Sequence, residues 1–279
     1  MKNLFKYLLM ASFFLHFCFS DFELKSYVMS LNINPDGTVH VIEDFLIFIN
    51  GSYSIQLYEN SFLLNDLASW SERTKLSELR PHISRAFVDL VNFRVRPVSV
   101  FNCNNIANTC FGKISIEYDV LPLSPNNPSL IEISQVKPRT KKYILWTKPF
   151  SFQLSKTDDI ILPSDYSLKI SIPDKASKII FSRTPNNIEE NPLLFRFDPS
   201  SSQNYYLGNE RIFIWKSQTL SKFYFSFEME QTPEEEINEF FLKLQSKLYN
   251  LFFLILNPPY LLSLVILSVA IYWIKKLDK

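Results

Sequence analysis

The chain has 279 residues, 47% hydrophobic and 20% charged, with a formal net charge of +1. That balance excludes a disordered chain and gives no strong positive field to attract nucleic acid, which is not an expected partner. With glycine only at 37, 51, 112 and 208, no phosphate-cradling loop, dinucleotide fingerprint or nucleophile elbow can be written.

Residues 4–19 are almost wholly apolar and follow Lys2, with Lys6 near their start. The run is short for a membrane span, and Cys18 and Ser20 stand at the positions where a signal peptidase requires small residues. Residues 1–20 are therefore predicted to be a cleaved signal peptide, leaving Asp21 as the first residue of an exported body. His16 and Phe17 are too bulky for a lipoprotein signal, so no lipid is expected on Cys18.

Strand patterns dominate the exported body. Residues 21–32 and 38–50 flank Asn34-Pro35-Asp36-Gly37. Proline presets the first turn dihedral there and glycine tolerates positive φ, so a hairpin is predicted. Val39, Val41 and Glu43 alternate with His40, Ile42 and Asp44. Residues 53–58 read as a third short strand. Residues 65–80, polar and stopped by Pro81, read as an ordinary helix. Strands are expected again at 86–101 and 111–120.

Three prolines among residues 121–129 cannot donate into a ladder and suggest a linker at 122–129. This would separate a first β-rich domain, 21–121, from a second β-sandwich domain, 130–231. Seven short strands are expected in the latter, at 130–136, 143–154, 167–172, 178–181, 193–197, 211–215 and 223–229. Whether the body is one or two antiparallel sandwiches stays open at this point.

The chain closes on a helical pattern. Thr232-Pro233-Glu234-Glu235 fits an N-cap, a proline in the first helical position and a capping-box glutamate. Ile237, Phe240, Phe241, Leu244 and Leu248 then form one apolar stripe, so 232–250 is predicted to be an amphipathic juxtamembrane helix. Residues 251–274 are apolar, 24 residues or about 36 Å of helix, enough for one transmembrane span. Lys275 and Lys276 follow at once, which places the tail 275–279 in the cytoplasm and the body outside. Pro258 and Pro259 must interrupt the helix. The expectation is a kinked span, the alternative a surface-lying helix followed by a fresh one.

Candidate sites are few. Cys103 and Cys110 flank a short loop between strands, and the mature chain then holds an even two cysteines, so a disulfide closing a hairpin tip is predicted. Asn50-Gly51-Ser52 is the single N-x-S/T sequon, which makes Asn50 the glycosylation candidate. Lys137, Arg139, Lys141, Lys142 and Lys148 surround Pro138; a solvated tip is the default, contact with anionic lipid heads or an acidic surface polymer the alternative. His40 and His82 are far apart and lack any metal-ligand spacing, and a surface or strand-face position is expected for each. Asp158-Asp159 and Glu189-Glu190 read as solvated pairs. No catalytic, cofactor-binding or metal residue is expected.

The stretch 34–43, with its Asp-Gly turn followed by Val39-x-Val41-x-Glu43, resembles the opening hairpin of a prokaryotic family of predicted membrane proteins of unknown function. Residues 112–120 resemble that family's later strand. Ile161-Leu162-Pro163, Ile172-Pro173 and Trp215 are similar to features of related archaeal envelope proteins. The resemblance implies an extracytoplasmic β domain tethered to the membrane, and no active residue. The reading is a single-pass membrane protein whose all-β ectodomain binds or scaffolds a surface or membrane protein partner beside the lipid. An envelope hydrolase with carboxylates assembled by folding is the rival, and an accessory subunit of a membrane complex the third possibility.

Overall fold

A computed structural model describes residues 21–123, 128–157, 159–188, 195–197, 204–206, 212–256, 263 and 266–268. Its strands are mostly antiparallel and fall into sheets of seven, six and three. The chain divides into two compact units: residues up to Val136 with Lys141–Met229, and Lys137–Thr140 with Glu230 onward.

The first unit begins with β1 (Asp21–Ile33) and β2 (Val39–Asn50), paired antiparallel through the predicted turn. Gly37 adopts φ +84, and its amide donates to the Asn34 carbonyl. In β2 the odd residues from Val39 to Ile49 are buried and the even ones half-buried, the period-2 pattern of a strand with one face on the core. The register of β1 slips between Leu24 and Ser26. This bulge moves the inward set from Phe22 to Tyr27, Met29, Leu31 and Ile33.

Gly51, at φ +89, ends β2, and α1 (Ser52–Glu59) follows. The strand expected at 53–58 is thus a helix. The apolar residues fit a period of two in sequence, but the residues buried are Ser54 and Tyr58, four apart on one helical face. Helix α2 (Leu67–Thr74) is capped by Asp66, whose side chain accepts from Ser69 N at 2.7 Å. It is shorter than the expected 65–80 because Lys75 turns left-handed at φ 59. Residues 75–87 are irregular and lead into β3 (Val88–Asn104), which pairs with β4 (Thr109–Pro122).

Next come β5 (Ile131–Lys137), β6 (Thr140–Leu145), β7 (Gln153–Leu154), β8 (Ile160–Ile161), β9 (Tyr166–Ser171), β10 (Ala176–Phe181) and β11 (Asn187–Ile188). The last strands are β12 (Phe195–Phe197), β13 (Asn204–Tyr206), β14 (Ile212–Lys216), β15 (Thr219–Leu220) and β16 (Phe225–Glu230). The seven-stranded sheet runs β11-β14-β9-β1-β2-β4-β3, the six-stranded one β12-β13-β10-β16-β6-β5, and the smallest β15-β8-β7. Strand β9 pairs parallel with β1, so one sheet draws on both sides of residues 122–129. The expected separation into 21–121 and 130–231 is therefore not the one the strand pairing follows. Prolines punctuate the chain locally and carry no information about which distant strand pairs with which.

The two large sheets meet through aromatic rings. Phe213 of β14 lies 5.6 Å from Phe225 of β16 and 6.2 Å from Phe181 of β10, and Trp215 packs edge-on against Phe225. Offset and edge-to-face pairs of this kind add to the stabilisation from burial itself.

In the second unit, α3 (Pro233–Leu256) opens with the predicted capping box. Glu235 N donates to Thr232 Oγ1 at 3.2 Å, and Thr232 N donates to Glu235 Oε2 at 2.9 Å. Arg139 donates to the Gln231 carbonyl at 3.1 Å, accepts from Gln231 N at 2.7 Å, and pairs with Glu236 at 3.6 Å. The predicted signal peptide lies outside the described residues, as does most of the predicted span beyond Leu256. Among the described residues no helix is long and apolar enough to cross a membrane.

Candidate functional site

Strand β2 presents an inward row of Val39, Val41, Phe45, Ile47 and Ile49, interrupted by one charged residue, Glu43, with no solvent exposure. Burying a carboxylate is costly unless each oxygen is hydrogen-bonded. The register supplies the partners. Glu43 faces Met29 on β1 and Ile116 on β4, so Tyr27 and Tyr118 lie diagonally across from it on the same face. Tyr27 Oη donates to Oε2 at 2.6 Å and Tyr118 Oη donates to Oε1.

The irregular segment 75–87 completes the set. His82 N donates to both carboxylate oxygens, at 2.9 and 3.2 Å, and His82 Nδ1 lies 2.8 Å from Oε2. The imidazole packs against Tyr27, centroids 4.4 Å apart, and stacks on Phe152 at 5.5 Å. With phenols and an amide all donating to it, Glu43 acts as an acceptor, and Nδ1 is the donor. Nε2 is then the ring nitrogen not engaged by Glu43. Burial, and after it the charge of Glu43, pushes both the Tyr27 and Tyr118 phenols well above their usual range.

Above this floor lies a cavity of about 340 Å³ bordered by His82, Ser77, Glu78, Arg80, Ser151 and Tyr166. His82 itself is 5% exposed. An antiparallel bridge joins Ile83 to Phe150, and Ser151 N donates to the His82 carbonyl at 2.8 Å. His82 and Ser151 are thereby directly opposed, with side chains toward one face. Two larger but shallower depressions, of about 580 and 560 Å³, flank the β1–β2 turn and the start of α2.

Cys103 and Cys110 are bonded, with Cα atoms 4.1 Å apart across the β3–β4 tip. Asn50 is exposed at the end of β2, and its Nδ2 donates to Asp21 at 3.0 Å. The basic run is not one patch. Lys137 is exposed, Arg139 is engaged with Gln231 and Glu236, and Lys141 is half-buried. Lys142 lies over the Tyr224 ring at 5.9 Å, and Lys148 over Phe87 at 5.0 Å. His40 is half-exposed and pairs with Asp119 at 2.7 Å. His82, expected at a surface or a strand face, is buried rather than at the surface and is bound to a carboxylate. Asp159 accepts from Thr157 and Lys222 N, while Asp158, Glu189 and Glu190 lie outside the described residues. The Glu43 cluster was missed in sequence because its members are 27, 43, 82 and 118; the one local signal was a glutamate in an otherwise apolar inward row.

No family model and no curated protein matches the chain.

Proposed function

We propose that the protein is an extracytoplasmic, membrane-anchored binding or scaffolding protein, with a β-sandwich body held at the bilayer by its C-terminal helix. One observation carries this reading: the stripe of α3. Ile237, Phe240, Phe241, Leu244 and Leu248 are all exposed, Phe240 by 62%. Large apolar side chains in register along a helix have no favourable surroundings in water and fit an apolar phase or partner. The same helix runs on through 251–253 to Leu256, toward the rest of the apolar segment. The amino-terminal signal pattern and the disulfide agree with export to an oxidising compartment.

A binding role is favoured by β5. It ends the six-stranded sheet, and Glu132 to Val136 are exposed, including Ile133 and Val136. Exposed apolar side chains on the last strand of a sheet suit contact with a partner protein. The test is expression of the full chain with a periplasmic or luminal reporter, alkaline extraction, and impermeant labelling of the body. The expected result is membrane retention and labelling from outside. Phe240→Ser with Phe241→Ser is expected to lower the retained fraction if the 251–274 segment is shortened in parallel. A body labelled only after the membrane is opened would refute the topology.

A further inference from the structure

We propose that the cavity over His82 binds a hydroxyl-rich neutral ligand the size of one sugar unit. The inference rests on the binding role above but not on the anchor. Its volume of about 340 Å³ lies at the small end of ligand sites, which suits a single ring. Its border combines hydrogen-bonding groups of both senses. Glu78 offers acceptors, Arg80 offers donors in a planar fork, and Ser77 and Ser151 offer both. His82 adds a fixed polar group: Nδ1 is held by Glu43, so Nε2 is the ring nitrogen left to meet a hydroxyl.

The charges choose between ligand classes. Arg80 and Glu78 border the same space, and the Glu43 carboxylate stands directly behind the imidazole. The two border charges are opposite and offset each other, so neither an anion nor a cation gains a net attraction there, and the Glu43 oxygens are already taken up by Tyr27, Tyr118 and His82. A neutral polyol meets no net penalty and finds a partner for each hydroxyl. Phe152 and Tyr166 supply the apolar surface on which the C–H face of a sugar ring rests. The floor is preorganised, since Glu43 fixes the imidazole through both its amide and Nδ1, and a site whose groups are already ordered loses less on binding.

The experiment is saturation-transfer NMR of the full chain in phosphatidylcholine nanodiscs with glucose, galactose, mannose, N-acetylglucosamine and glucuronate, and with acetate and phosphate as anion controls. Transfer to at least one neutral sugar is expected. Glu78→Gln and Arg80→Ala lie on the exposed rim, so neither threatens the core. Each is expected to weaken that sugar about tenfold through loss of a hydrogen bond to a charged group. Absence of transfer to every neutral sugar, unchanged binding in both variants, or saturable binding of the anions alone would overturn the proposal. Disc incorporation is scored separately by flotation, and a chain that stays out of the discs is titrated in buffer. A failed sugar site therefore leaves the anchoring reading standing, and the reverse.

Discussion

Replacing Glu43 by glutamine keeps the shape of the side chain and removes one acceptor oxygen. Glu43 receives hydrogen bonds from four donor atoms: Tyr27 Oη, Tyr118 Oη, His82 N and His82 Nδ1. In the best orientation the amide oxygen takes the place of Oε2 and keeps Tyr27 and the imidazole. The amide nitrogen then faces Tyr118, whose hydroxyl can rotate to accept, and His82 N–H, which cannot and is left with the longer 3.2 Å contact to the amide oxygen. Three bonds lose their charged acceptor, worth about 1 kcal/mol each, and one donor is left poorly paired at about 1 kcal/mol more. Relief of carboxylate desolvation offsets part of this, leaving a net loss of about 2 kcal/mol. Glu43→Ala instead strands all four donors in the core, at about 1 kcal/mol or more each, so it should cost about 4 kcal/mol or more. Urea unfolding at neutral pH, followed by tyrosine and tryptophan fluorescence, reads both, with unchanged m-values as the two-state check. Wild-type stability in Glu43→Gln, or equal losses in the two variants, would refute the argument that hydrogen bonding at this carboxylate holds 75–87 to the sheet.

Because Tyr27 and Tyr118 hold their protons above the usual 10.0 in the folded chain, the unfolded chain releases protons there first. The two phenols add no slope at neutral pH, and stability should fall above pH about 10, by fluorescence-monitored urea titration; Tyr118→Phe should flatten that fall. On the acid side, hydrogen bonds from Asn92 and then His40 hold Asp119 below 3.8, so stability is lost as pH drops through that region, and Asn92→Ala should reduce the acid sensitivity. A Cβ on Gly112 would lie 2.5 Å from the Tyr58 ring, so Gly112→Ala should cost about 1–3 kcal/mol through overpacking; Tyr58→Leu should cancel much of that increment in a double-mutant cycle, and simple additivity would count against the steric cause. Thiol labelling of the denatured, unreduced protein should find neither Cys103 nor Cys110 reactive, and reduction should lower stability by about 2.5 kcal/mol for an eight-residue loop.

What the sequence made legible was whatever repeats at short range. The hairpin around Gly37 carries its own turn chemistry, and the Thr232–Glu235 capping box forms as its spacing implied. Cys103 and Cys110 needed only a short loop between two strands. The Ser54 and Tyr58 face of α1 was hidden because Tyr53, Ile55 and Leu57 also fit a strand, and the choice was made by Tyr58 docking against Gly112, whose Cβ-less surface lies 54 residues on. The parallel pairing of β9 with β1 has no local signature, which is why a proline-rich stretch read as a boundary.

The cavity site shows the same division within one place. Its floor is set by ladders: Glu43, Tyr27 and Tyr118 face one another because β1, β2 and β4 fix their registers residue by residue, and the bulge at Lys25 puts Tyr27 on the inward side. A one-residue slip in any of these strands would turn the carboxylate or a phenol to the opposite face. Ser77, Glu78, Arg80 and Ser151 on the rim come instead from segments without regular pairing, joined to the floor by the Glu43–His82 bonds and the Ile83–Phe150 bridge. Rim positions such as Ser77, Glu78 and Arg80 are exposed and make few core contacts, so they can change at little cost to stability, whereas Glu43 cannot. A rigid floor beneath a replaceable rim is the arrangement that lets ligand preference vary while His82 stays fixed at the cavity border.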